Sequence, residues 1–366
     1  MITAGAPPRC SIGHASSQCS HNSASRQAAA EAHAGAGRSA FDPCIGWYAN
    51  LVEPMQPVTR TPGPVRAIAW SPDNQRFAAA GWDGCIFIWD AASAKPIALL
   101  KGHTGVVWTL DWSPDGTMLA SGSLDESVRV WNVATGAAVL CHGHRGSVNA
   151  VAWRPDGGVI ASGSADHKVC LWDPVTSEIL EILKGHNNVV TSLAWKPHTS
   201  TLASGSYDKT ARVWDMVFDR PTKVLEGHAG HITSVAWSPD GASLASAGTE
   251  GHIHFWDLER VESKRVLRGH GAGVQALRWS PDGARLASAS SDQTIRVWNL
   301  ASGRSRICRG HENIVTCLAW SNDGACIASA SWDGEIRVWE TPAEVSANKP
   351  APPPAVSPES TAAHAL

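Results

Sequence analysis

The chain has no run of lysine or arginine, no Cys-x-x-Cys spacing, and no apolar stretch approaching the roughly 18 residues that span a bilayer. Each absence argues against a class of function. Basic and acidic residues are interspersed around a net charge of -3, which argues against sequence-independent binding to nucleic acid by phosphate neutralisation. The 9 cysteines lack paired spacing, which argues against a structural zinc site. Their odd number, with no secretory signal, points to reduced thiols and a cytoplasmic or nuclear setting. The histidines show no metal-ligand spacing either; His252 and His254, two apart on a strand, read as an accident of sequence.

What is present is a period. Six Gly-His pairs, ending at His103, His144, His186, His228, His270 and His311, each lie 28 residues ahead of a tryptophan: Trp131, Trp172, Trp214, Trp256, Trp298 and Trp339. Trp89 precedes them in the same phase, with Thr61-Pro62 in place of the pair. Successive tryptophans are 41 or 42 residues apart, the period of four-stranded blades rather than of stacked helix pairs. Seven such units make one closed body, and this repeat overrides the 366-residue length as a guide to domain number.

Within the second repeat, Val106 to Trp112 alternates and ends at Ser113-Pro114-Asp115-Gly116, a turn whose proline is preset for its second position. This predicts strand a there, strand b over Met118 to Ser123, strand c over Val128 to Trp131 and strand d over Ala138 to Cys141. Strand a also alternates in size. Val148, Ala150 and Ala152 lie on one side and Val151 and Trp153 on the other, so the large face of one sheet can pack on the small face of the next. Trp70, Trp112, Trp153, Trp195, Trp237, Trp279 and Trp320 follow that plan and read as core.

Over roughly residues 57 to 340 the chain resembles the WD-repeat β-propeller family, with Asp90, Asp173, Asp215 and Asp257 completing the Trp-Asp dipeptide and Asn132, Asn299 and Glu340 departing from it. The resemblance implies an all-β protein: a seven-bladed β-propeller of four-stranded antiparallel blades. After Trp339 the chain turns to Glu340-Thr341-Pro342 and then to a proline-rich stretch that cannot supply a fourth strand. Pro57-Val58-Thr59-Arg60 aligns with a d strand and is expected to complete the last blade, leaving no long edge unpaired.

The division expected is a disordered tail over 1–43, the propeller over 44–341 and a disordered Ala/Pro-rich tail over 342–366. Before Asp42 the chain carries Arg9, Arg26 and Arg38 against one acid, Glu31, which also suits an organellar transit peptide over 1–43, although no amphipathic stripe supports it. Cys44 to Gln56, with Trp47 and Tyr48, reads as a lead-in against the propeller wall, and Ser357-Pro358 as a candidate phosphosite within linker.

Serine follows each histidine by 18 residues and aspartate by 22: His103, Ser121, Asp125; His144, Ser162, Asp166; His186, Ser204, Asp208; His270, Ser288, Asp292; His311, Ser329, Asp333. These are the residue types of a catalytic triad. Five copies at one spacing describe scaffold instead. The resemblance implies that each set, with Trp131, Trp172, Trp214, Trp298 and Trp339, forms a hydrogen-bonded chain inside its blade. Glu250 replaces the aspartate in blade five, and blade one, with Pro62, Ala79, Asp83 and Trp89, lacks the chain and is expected to be softer. Arg129, Arg212, Arg296 and Arg337, two residues before the strand-c tryptophan, read as scaffold with their stems over apolar surface.

Recognition is then expected where copies disagree. One set precedes the acidic residue of the b–c turn: Trp82, Leu124, Ala165, Tyr207, Thr249, Ser291 and Trp332. The other opens strand a: Arg66, Trp108, Asn149, Thr191, Thr233, Gln275 and Thr316. In the family both ring the mouth of the central channel. Trp82, Trp108, Trp332, Arg66, Leu124 and Tyr207 are the candidate partner-binding residues, an aromatic patch with a cation; the alternative is that the rings fold onto blade one. No catalytic residue, cofactor or metal is expected. The reading is a non-catalytic scaffold, monomeric within a larger complex, binding peptide or protein partners but neither nucleic acid nor membrane. Alternatives are a ubiquitin-ligase substrate receptor, or a small-ligand or enzymatic propeller. The first is weakened because Ala92, Ala134, Val175, Val217, Glu259, Ala301 and Pro342 stand where such receptors carry arginine.

Overall fold

The computed structural model describes residues 51–341 apart from 53–54, 62 and 217–219. The expected tails, Trp47, Tyr48 and Ser357-Pro358 lie outside the described residues. Every helix or strand among the described residues is a β-strand. In blade two the strands are Val107–Trp112, Met118–Ser123, Val128–Asn132 and Ala138–Cys141, within a residue of the alternation reading. Seven sheets of this plan follow one another, and their innermost strands touch in sequence until Val315–Trp320 meets Val65–Trp70. The ring is closed.

No blade has a core of its own. The apolar clusters lie between blades: Ala78, Ala80 and Ile88 of blade one pack with Leu110, Trp112 and Leu119 of blade two. Ile68, Ala79 and Trp89 of blade one pack with Ala319, Ala328 and Ile336 of blade seven. The size alternation along strand a is what makes these faces complementary. Four strand-a tryptophans also bond the neighbouring blade, Nε1 donating at 3.1 Å from Trp112 to Ala69 O, Trp195 to Ala152 O, Trp279 to Ala236 O and Trp320 to Arg278 O.

In all seven blades the ladder between strands a and b skips one residue, the second of strand a, as between Val107 and Thr109 or Val274 and Ala276. A bulge of this kind frees its residue from the pairing pattern and re-aims the side chain. The skipped residues are Arg66, Trp108, Asn149, Thr191, Thr233, Gln275 and Thr316. They are the second variable set of the sequence.

Closure uses the N-terminal segment, as expected. Met55–Arg60 pairs antiparallel with Glu335–Glu340, Thr59 opposite Ile336 and Arg60 opposite Glu335. The register shifts between Met55 and Thr59, the stretch holding Pro57, whose nitrogen has no hydrogen to give to a ladder. One feature was not foreseen: Leu51–Val52 adds a fifth, parallel strand to the outer edge of blade six, beside Ile307 and Cys308.

The joint between blades seven and one explains two departures from the turn motif. At four other joints the turn proline of one blade lies over the turn glycine of the next; Pro72 is 3.4 Å from where a Cβ on Gly116 would sit, and Pro281 is 3.5 Å from the same point on Gly324. At this joint the proline is Asn322 and the glycine is Asn74, whose φ is 60°. Asn322 N donates to Asn74 Oδ1 at 2.6 Å, and Asn322 Nδ2 donates to Ser71 O at 3.2 Å and Pro72 O at 2.8 Å. Deeper in, Thr316 Oγ1 donates to Val65 O at 2.7 Å.

Two outcomes are expected in thermal melts. Deleting residues 1–60 removes the closing strand and should lower the melting temperature sharply; an unchanged curve would count against closure. Asn322→Pro, although it restores the motif of other blades, removes these bonds at about 1 kcal/mol each and should lower stability by about 2–3 kcal/mol.

Candidate functional site

The bulged residues converge on one end of the channel. All seven line a cavity of about 370 Å³, joined there by Leu124, Ala165 and Tyr207 from the b–c turns. Arg66 stands between two indoles, its Cζ 4.3 Å from the Trp108 ring centroid and 5.7 Å from that of Trp332, a double cation–π contact. Closing the ring thus brings blades seven, one and two together as the sequence implied. Trp82, Leu124 and Trp332 remain 54%, 50% and 40% exposed. Trp82 and Trp332 therefore do not fold down onto blade one, whose interior is filled instead by Trp89 stacked on Phe77 at 5.3 Å and tilted against Phe87 at 5.5 Å.

The second set divides by chemistry. Thr191 and Thr316 donate their hydroxyls at 2.7 Å to Ile232 O and Val65 O of the next blade, and Thr233 does the same to Val274 O. These threonines tie the ring. Side chains left to meet a ligand are Arg66 and Trp108, with Asn149 Oδ1 accepting from Ser147 Oγ at 3.0 Å and Gln275 braced on Ser291 Oγ at 2.9 Å. Sequence reading missed His231, whose ring lies 4.8 Å from that of Tyr207 and whose Nδ1 is 2.6 Å from Tyr207 O. Its signal was present: it is the one imidazole in a column otherwise holding Pro64, Val106, Ser147, Val189, Gly273 and Ile314.

Below the mouth, Arg278 also faces the channel. Asp111, an acid with no counterpart in other blades, lies on an inner strand; burial pushes its carboxyl up to about 6, although the Trp153 amide and the charge of Arg278 pull it back. A raised carboxyl is a frequent mark of a reactive site. Here Asp111 Oδ2 accepts Trp153 N at 2.7 Å, so the group joins blade two to blade three.

The Ser, His, Asp and Trp residues meet inside blades two, three, four, six and seven. In blade two Trp131 Nε1 lies 2.8 Å from Ser121 Oγ, Ser121 Oγ 2.7 Å from His103 Nε2, and His103 Nδ1 2.8 Å from Asp125 Oδ2. An indole nitrogen can only donate, so Ser121 accepts from Trp131 and gives its own hydrogen to His103 Nε2. The imidazole hydrogen is then on Nδ1 and goes to Asp125. Asp125 Oδ1 takes Ser127 N and Oγ at 3.1 and 2.6 Å, and Oδ2 takes Thr104 N at 3.0 Å. The same contacts recur in the sets of His144, His186, His270 and His311. Blade five completes a sixth chain with Glu250: His228 Nδ1 meets its carboxylate, and Ser246 Oγ links His228 Nε2 and Trp256 Nε1, each at 2.7 Å. In blade one Thr61, 22 residues before Asp83, takes the histidine place and its Oγ1 donates to Gly63 O at 2.6 Å; Pro62 lies outside the described residues. The glycine of the blade-two pair makes room for the strand-c side chains, since a Cβ on Gly102 would lie 2.9 Å from Arg129 Nη1 and 3.0 Å from Trp131 Cη2.

Comparison with known families agrees with this geometry. A model described as IFT122 first beta-propeller matches residues 139–341, and one described as WD domain, G-beta repeat matches 55–90 and 94–132. The chain belongs to the WD-repeat β-propeller family. No curated protein matches it.

In this WD-repeat propeller the serines of the chains are not open to a substrate: Ser121, Ser162, Ser204, Ser246, Ser288 and Ser329 are each 0% exposed. The carboxylates matter for stability. Burial raises the pKa of Asp125 and Asp333, but hydrogen bonds from Ser127 and His103 to the first, and from His311 and the Glu335 amide to the second, outweigh it and hold both at about 2. Asp166, Asp208 and Asp292 are lowered further by the same kind of contacts. A depressed carboxyl stabilises the fold above its unfolded pKa and loses that contribution as pH falls through the folded one. Burial also lowers His103, His186 and His254, so the unfolded chain takes up protons first below about pH 6.5; denaturant midpoints should fall gently from there and steeply between about pH 4 and about pH 2. Ser204→Ala, which strands Trp214 Nε1 and His186 Nε2, should cost about 2–3 kcal/mol in the same measurement.

Proposed function

We propose that this WD-repeat propeller is a non-catalytic scaffold that seats a peptide or protein partner on its channel-mouth face and so supports assembly of a larger complex. One observation carries the reading: a bulge repeated in every blade aims the non-repeating residues at a single mouth, where Trp108, Arg66 and Trp332 form a layered patch. Exposed indole faces and Leu124 suit an apolar anchor, and the Arg66 guanidinium suits a carboxylate or backbone carbonyl beside it. WD-repeat propellers as a family bind protein partners, which supports the same reading. The described cysteines are free thiols, Cys141, Cys170, Cys308 and Cys317 among them buried, in keeping with a reducing compartment such as cytoplasm or nucleus.

A small-ligand or enzymatic use of the channel is the second reading, and Asp111 is what favours it. Its carboxylate is already engaged by the Trp153 amide, and the strand-a positions around it are largely Thr, Ser and Ala. The scaffold reading is preferred on that ground.

The test pairs the full chain with a Trp108→Ala/Trp332→Ala double variant in affinity capture followed by binding measurement. Each truncation should cost a partner about 2 kcal/mol or more while the melting curve stays in place. Partners retained equally by both proteins, or a variant that fails to fold, would reverse the assignment of the patch to recognition.

A further inference from the structure

Blade five departs from the other blades at positions that are separate in sequence and adjacent in space. Glu250 stands where the others hold Asp83, Asp125, Asp166, Asp208, Asp292 and Asp333. His254 stands where the others hold Phe87, Arg129, Cys170, Arg212, Arg296 and Arg337. Gly248 replaces a serine that blades two, three, four, six and seven share as Ser123, Ser164, Ser206, Ser290 and Ser331, while blade one has Gly81 there beside an ordinary aspartate, Asp83. All three changes serve one spot. A Cβ on Gly248 would lie 2.4 Å from Glu250 Oε2, so the glycine clears space for the longer acid.

At that spot His228 Nδ1 faces Glu250 Oε1, and the His228 and His254 rings lie 4.1 Å apart. One ligand atom from each of His228, Glu250 and His254 lies within 4.8 Å of the other two. Serines brace both imidazoles, Ser246 Oγ at 2.7 Å from His228 Nε2 and Ser263 Oγ at 3.0 Å from His254 Nδ1. A second, independent observation points the same way. Glu250 Oε2 is buried with no hydrogen-bond partner, whereas in blade two both Asp125 oxygens have donors. A hydrogen-bonded chain alone gives no reason to keep that oxygen bare.

We propose that His228, Glu250 and His254 form a binding site for a divalent transition-metal ion of the zinc class, with water from the partly exposed Glu250 side completing the coordination. Two imidazoles and one carboxylate are a donor set that suits zinc, and ring nitrogens fixed by hydroxyls are the usual outer support of such ligands. Binding moves the His228 hydrogen from Nδ1 to Nε2, where Ser246 Oγ accepts it as its own hydroxyl hydrogen rotates off the ring. The metal then takes the place of that hydrogen as the link between ring and carboxylate, so blade five keeps its internal tie.

Cobalt(II) is the probe, because its visible bands report coordination. The full chain, stripped of metal by chelation, should bind an equivalent of Co²⁺ that Zn²⁺ displaces, and Zn²⁺ should raise its melting temperature. His254→Arg restores the residue of other blades; it should remain folded by circular dichroism and lose that equivalent, with affinity at least about tenfold weaker. Histidines and cysteines elsewhere in the chain are common to both proteins and cancel in the difference. Should His254→Arg misfold, Glu250→Asp, which shortens the acid to that of its neighbours, should show the same loss. Identical Co²⁺ spectra and stoichiometry in wild type and folded variant, or no uptake by wild type at micromolar metal, would overturn the site.

Discussion

Every blade in this protein borrows its interior from its neighbours. Ala78 and Ala80 on one sheet are buried only because Trp112 and Leu119 arrive from the next, and the same dependence runs around the ring to Ala319 and Ala328, which are covered by Ile68 and Trp89. A sheet with an apolar face on both sides cannot stop without exposing one of them, so the array must meet itself. That requirement accounts for the order of contacts, for the hydroxyls that tie strand a of one blade to the next, and for the use of a segment from before the first repeat to finish the last blade.

What the sequence made legible was whatever the ring repeats. The 28-residue interval from His103 to Trp131 occurs six times because each copy closes the same hydrogen-bonded chain, and repetition itself separates that chain from a catalytic triad. The turn motif and the missing last strand were readable for the same reason. The features that escaped are pairwise. Asn74 and Asn322 are 248 residues apart, and each looks like a lone departure until the joint sets them face to face. Glu250, Gly248 and His254 likewise make sense only together. Leu51–Val52 joins blade six through backbone bonds in two residues, too short a stretch for any period to register.

The bulge is the link between scaffold and candidate site. Sequence variation marked Arg66, Trp108 and Gln275 as special, but an alternating strand gives no reason for residues at one position to point along the channel rather than across the sheet. Dropping one residue from the a–b ladder supplies that reason in all seven blades. The regular part of each repeat thereby holds its irregular residue in a fixed direction, and the threonines at three of these positions convert the same geometry into ties between blades.

The layered patch has a further meaning through its location. Trp332 belongs to the last blade, and Arg66 and Trp108 to the first two, so the patch lies across the place where the two ends of the array meet. Met55–Arg60 leads directly into blade one, but the other three strands of the last blade are held there by non-covalent contacts alone. An occupant gripping both sides would act as a clasp, adding its own binding free energy to whatever keeps the circle shut. Opening of the circle and release of the occupant would then be coupled, each resisting the other.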